Sequence, residues 1–195
     1  MMRAVHFVLA VALMAPATAA LAQSEVHKHE SPAAASSPSD AQKSFDLMKT
    51  FAGEWEGSVK TDMPIAAGMD GTSIHVTMRV TSRGNVVVNE FQEANTPFDP
   101  KKYDHPVTMF YLDSDQLNLV HYCDAGNRPH MTGKMSPDGN VVEFEFADLG
   151  GSDKTGHMHH AIFTAVDENR HIEEWIYKLP DGQSVHARFD LHRVK

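Results

Sequence analysis

His121 and Cys123 share one face of the alternating run 116–123 with Leu117 and Leu119, because successive side chains of a strand point to opposite sides. Two side chains at that spacing stand about 6–7 Å apart at their Cβ atoms, close enough to meet one metal ion or one bound molecule. A second group is His157-Met158-His159-His160, whose facing the alternation leaves open. His157 and His159 keep step with Ala161 and Phe163, whereas Met158 and His160 keep step with Ile162 and Thr164. Either face offers imidazole, or imidazole with a thioether, which suits zinc or copper; the full set would be His121, His130, His157, His159 and His160. Between these groups the segment 124–129 forms a loop in which Arg128 could meet a ligand carboxylate. Glu173 and Glu174 adjoin Trp175, and whichever of them faces inward could serve as an acid or base beside His121. The chain has no Gly-x-Ser-x-Gly elbow, no His-Glu-x-x-His, no phosphate-binding glycine loop and no dinucleotide fingerprint.

The rest of the sequence sets the context for those groups. Residues 1–22 read as a secretory signal, with Arg3 at the charged start, an apolar stretch from 4 to 15 and small residues at 20–22. The expected location is periplasmic or secreted, after cleavage near Ala22. Residues 23–39 are rich in Ser, Ala and Pro without periodicity and read as a disordered tether, leaving 40–195 as one domain. No later stretch is apolar for the ~20 residues that a helical membrane span needs. The formal charge of −9 repels phosphate backbones, which argues against a nucleic-acid partner. A single cysteine excludes an intramolecular disulfide, so stability must come from packing. The 13 histidines are the compositional oddity, since they titrate as pH falls from 7 towards 5.

The elements that must position these side chains are strands. Ser39 or Asp40 caps a short helix with Phe45, Met48 and Phe51 on one side, ending near Gly53. From residue 54 the pattern changes to period two, giving about ten strand-like runs up to residue 194. The fold class is all-β: a single antiparallel up-and-down barrel with a short capping helix before the first strand. Trp55 and Arg193 lie on the inward faces of the first and last runs, so closing the sheet places a guanidinium over an indole. Tight turns such as 83–85, 113–115 and 137–140 alternate with long joints at 62–73, 94–106, 124–129 and 148–156, so one end is tight and the other loose. Trp55 and Arg193 fall at the tight end, and most histidines, among them His75, His105, His121 and His186, fall at the loose one.

Gly53-x-Trp55 after a short helix, paired with a late arginine on the final strand, resembles the calycins, the lipocalin-like and fatty-acid-binding-like barrels. The strand number is nearer the fatty-acid-binding and nitrobindin-like members, and Gly53-Glu54-Trp55-Glu56-Gly57 is similar to the opening of bacterial secreted lipocalin-like proteins of unassigned function. The resemblance implies an interior site for a small, largely apolar ligand, and in nitrobindin-like members a haem held by a late histidine. His186, the late histidine nearest in kind, has outward parity. The leading expectation is therefore a small-molecule-binding barrel entered from its histidine-rich end. Its contacts would be His121, Tyr122, Cys123, Arg128, His130, Phe144, Phe146, His159 and Trp175, with Gly53, Trp55 and Arg193 as structural closure. Zinc or copper capture by the histidine rim is the first alternative, and an enzyme using His121 with an inward carboxylate is the second.

Overall fold

A computed structural model describes residues 37–62 and 70–195 of the chain. The expected signal, and the expected tether as far as residue 36, lie outside the described residues. The Ser39 hydroxyl accepts from the Gln42 N–H at 3.2 Å and starts α1 (Asp40–Thr50), satisfying one of the donors that a helix start leaves unpaired. Phe45 and Met48 of α1, with Phe51 just beyond it, are buried in the same apolar core as Trp55.

Ten strands follow: β1 (Gly53–Thr61), β2 (Ser73–Thr81), β3 (Val86–Glu93), β4 (Val107–Asp113) and β5 (Gln116–Tyr122), then β6 (Arg128–Met135), β7 (Val141–Gly150), β8 (His157–Asp167), β9 (Arg170–Lys178) and β10 (Ser184–Arg193). Each pairs antiparallel with the next, and β10 pairs with β1 to close the barrel. Closure removes the unpaired edges that an open sheet would expose.

At the seam Trp55 pairs with Arg193 in register, and the guanidinium carbon stands 4.1 Å from the indole centroid. The guanidinium also donates to the carbonyls of Thr50, Ala52 and Glu168, so it ties off the end of α1 as well as the last strand. The indole N–H donates to the Phe51 carbonyl at 2.7 Å. Gly53 has φ +145°, and a Cβ there would fall 2.2 Å from Nη1 of Arg193. Both the backbone angle and the approach of the arginine therefore require glycine.

Side chains fill the end of the barrel that α1 caps. Phe110, Phe144 and Phe163 are fully buried, with ring centroids 5.2–5.9 Å apart and mostly edge-to-face or tilted. Phe144 lies over Gly133 of the neighbouring strand, where a Cβ would be 2.6 Å from the ring. Each such buried aromatic contributes about 1.5–3 kcal/mol.

Regular alternation fails in one place that matters to the site. In β8 Met158 pairs with Tyr177 and Ala161 with Trp175, partners that share one face of β9, although three residues separate Met158 from Ala161. A bulge between Met158 and His160 takes up the odd residue. Met158 and Ala161 therefore both face inward and His160 faces outward, an arrangement that strict period two does not allow.

Candidate functional site

The loose half of the barrel holds a cavity of about 540 Å³. Its deeper lining includes His121, Trp175, Val59 and Phe189, all buried. Nearer the mouth come Cys123 just after β5, Tyr177 of β9 and Met158 of β8, with Lys102, Tyr103 and Asp104 of the long joint 94–106 at the rim. The cavity is thus a cup: packed aromatics below, apolar walls, and a polar margin. A second hollow of about 780 Å³ lies between the same joint and the outward side chains His75, Thr77 and Glu90 of β2 and β3. Being outside the sheet, it is not the interior site that the barrel encloses.

His121 is 1% exposed, and its ring centroid stands 5.3 Å from that of Trp175. Burial lowers its pKa to about 4, so the imidazole is neutral at ordinary pH. Nδ1 lies 2.8 Å from the hydroxyl of Thr108, also buried, while Nε2 has no partner. The Thr108 hydroxyl must give its proton to some acceptor, and Nδ1 is its only partner among the described residues. With Thr108 donating to Nδ1, the tautomer that leaves the hydroxyl proton satisfied, the ring proton sits on Nε2. Burial raises the Cys123 thiol to about 11, helped by Asp104 and Asp124, which leaves it protonated and a poor nucleophile. Asp104 is raised by burial and then by the neighbouring Asp124.

Below the cup lies a second buried polar group. Glu173 of β9 is fully buried, and its carboxylate accepts from the Trp175 indole at 3.0 Å and from the Asn89 amide at 2.8 Å. His171 Nε2 lies 3.2 Å from the same carboxylate, with its ring stacked on Phe51 and edge-on to Trp55. The inward carboxylate of the run 171–178 is therefore Glu173, and it faces these three nitrogens. Trp175 bonds to it on one side and stacks near His121 on the other. Sequence reasoning missed Asn89 and Thr108, although the first keeps step with Val87 and Phe91 and the second with Phe110. An amide or hydroxyl in such company is the signal that could have found them.

Of the expected ligand contacts, the structure brings His121, Cys123 and Trp175 to the cup. It places the others elsewhere. Tyr122 is exposed on the outer face and lines the outer hollow, as its alternation with His121 requires. Arg128 is exposed and lies against Gly150. His130 bonds Asp148 at 2.8 Å and Asn118 at 2.9 Å across the outside of the sheet. Phe144 belongs to the packed base. Phe146 packs against the rings of His157 and His159 at 4.8 and 4.9 Å, beyond the point where the pairing of β7 with β8 stops.

The imidazoles expected to share a metal do not converge. His121 is inside; His157 and His159 bond each other at 3.1 Å; His160 bonds Glu143 at 3.1 Å and Glu145 at 3.3 Å on the outer face. Glu143, Glu145 and His160 are the only potential metal-holding group among the described residues, with ligand atoms within 4.8 Å of one another. His186, the late histidine nearest in kind to a nitrobindin-like haem ligand, is exposed on the outside of the sheet and does not face the interior.

No protein-family model and no curated protein matches the sequence. The crystal structure of Rv2717c from M. tuberculosis is similar in fold, with a TM-score of 0.56 at 13% identity over 78% of this chain and 98% of that one. A protein of unknown function of the DUF3598 family from Nostoc punctiforme PCC 73102 gives a TM-score of 0.39 at 11% identity over 74% of this chain and 48% of that one. At such identities the likeness to Rv2717c concerns the barrel alone.

Proposed function

We propose that this protein is an exported, calycin-like carrier that takes a small, largely apolar molecule into the cup of its barrel. The observation that carries this reading is the cavity of about 540 Å³ with a neutral, buried His121 in its lining and one nitrogen left unpartnered. The unpartnered nitrogen gives the otherwise apolar cup a polar point of attachment. The aromatic and aliphatic wall supplies affinity by removing apolar surface from water, and the polar margin at Lys102 and Asp104 marks the entrance. Export to the periplasm or beyond belongs to the same proposal and is supported by the leader at residues 1–22.

The test is saturable binding of an apolar dye such as Nile red, compared with Ala187→Phe. Ala187 pairs with Trp175 and lines the cup, so the larger ring fills it. The reading expects the wild type to bind and the variant to lose binding while keeping its strand circular dichroism. Equal binding by both would place the dye outside the barrel and refute the proposal.

A second reading, zinc or copper capture, is supported only by the outer group Glu143, Glu145 and His160. It ranks lower because that group lies on the outer face, away from the cup, and two of its three members are exposed. Native mass spectrometry with added zinc, comparing wild type and His160→Ala, decides it: retention lost in the variant supports capture, and equal retention defeats it.

A further inference from the structure

Three polar groups in or beside the cup are already engaged within the protein. The Trp175 indole N–H goes to Glu173, the Tyr177 hydroxyl donates to the Thr155 carbonyl at 2.8 Å, and the Thr108 hydroxyl donates to His121 Nδ1. Among the described residues the deep lining keeps one strong donor, the Nε2–H of His121, and it shares the cavity with the apolar Val59, Val185 and Phe189. Charge adds a second constraint. Among the described residues no Lys or Arg lines the deep part of the cup, whereas the Glu173 carboxylate accepts from the Trp175 indole there. A ligand carboxylate pushed to the floor would lose its hydration and gain no counter-charge.

Resting on the reading of the barrel as a ligand carrier, we propose that its ligand enters with a neutral carbonyl foremost, and that this oxygen accepts from Nε2–H of His121. The ligand class is a ketone, aldehyde, ester or amide with a long apolar remainder, not a free fatty acid. Nε2 is buried, so the oxygen reaches it only as the lining repacks, and Met158 is the most adaptable side chain of that lining. An unpartnered buried donor is destabilising, and the ligand that relieves this cost is favoured over one that leaves it in place. His121 stays neutral over the working range, so it presents the same donor throughout.

The experiment compares a long-chain methyl ketone, the alkane of equal length and the carboxylate of equal length, by competition with bound Nile red. The ketone is expected to bind about tenfold more tightly than the alkane, and the carboxylate more weakly than the ketone. In His121→Phe, which keeps the ring and removes the donor, the ketone should fall to the level of the alkane. If that variant does not fold, Thr108→Val serves instead: it frees the tautomer, and the margin of ketone over alkane should shrink. Equal affinity of ketone and alkane in the wild type, or a carboxylate that binds best, overturns the inference and leaves the carrier reading intact. Failure of the wild type to bind the dye at all would instead remove the carrier reading itself.

Discussion

Arg193 acts on three pieces of chain at once. It covers the Trp55 indole at 4.1 Å and takes carbonyls from Thr50, Ala52 and Glu168. Replacing it with Ala removes the cation–π contact and leaves carbonyls near the helix end without a donor. The expected loss is about 2–4 kcal/mol, read as a lower urea midpoint; a change below about 0.5 kcal/mol would show that the seam holds without it. Gly53→Ala should be as damaging, because the Cβ collides with the same guanidinium and φ is +145°. Glu173 is the other decisive residue. Glu173→Leu strands the Trp175, Asn89 and His171 nitrogens and should cost about 3 kcal/mol or more. Glu173→Gln keeps one carbonyl oxygen as an acceptor and should cost less. The opposite ranking in chemical denaturation would mean that the Trp175, Asn89 and His171 nitrogens need no acceptor at this position.

At the scale of elements, the barrel was readable because alternation is regular where one face is buried and the other wet. Trp55 and Val59 of β1, and Val185, Phe189 and Leu191 of β10, face inward as their spacing requires. The tight and loose ends followed from turn residues alone. The histidines were harder. A bulge adds one residue without any mark in composition, so the alternation could not choose a face for His157-Met158-His159-His160, and the structure turns Met158 in and His160 out. Nearness to the rim also says nothing of facing: of the rim histidines only His121 lines the cup, while His75 and His160 bond carboxylates on the neighbouring strand. Phe144 was misassigned because parity gives a face but not a depth; it points inward among the packed rings of the base. Its neighbour supplies a prediction at this scale. Gly133→Ala pushes a methyl to 2.6 Å from the Phe144 ring and should destabilise the barrel by about 1–3 kcal/mol, seen in thermal unfolding.

For the whole molecule, the buried His121 links stability to pH. Its pKa is about 6.5 in an unfolded chain and about 4 in the barrel. Between those values the unfolded chain takes up a proton that the folded one refuses, so folding stability falls as pH drops from about 6.5 to about 4 and gains nothing from this group above that window. The shift corresponds to about 3 kcal/mol. His121→Phe should flatten that part of the stability profile; an unchanged slope would mean that His121 titrates normally, in contact with water. The same enclosed half of the barrel is where a ligand would be held, away from the packed base.

The chain has two tryptophans, one at each level of the barrel: Trp55 at the sealed base and Trp175 in the cup lining. A proton–nitrogen correlation spectrum therefore resolves the two indole N–H signals and reads the two levels separately. On titration with a long-chain methyl ketone the Trp175 signal should move saturably while the Trp55 signal stays in place. Two signals that both stay fixed at saturating ketone, or a shift confined to Trp55, would contradict the cup as the binding site.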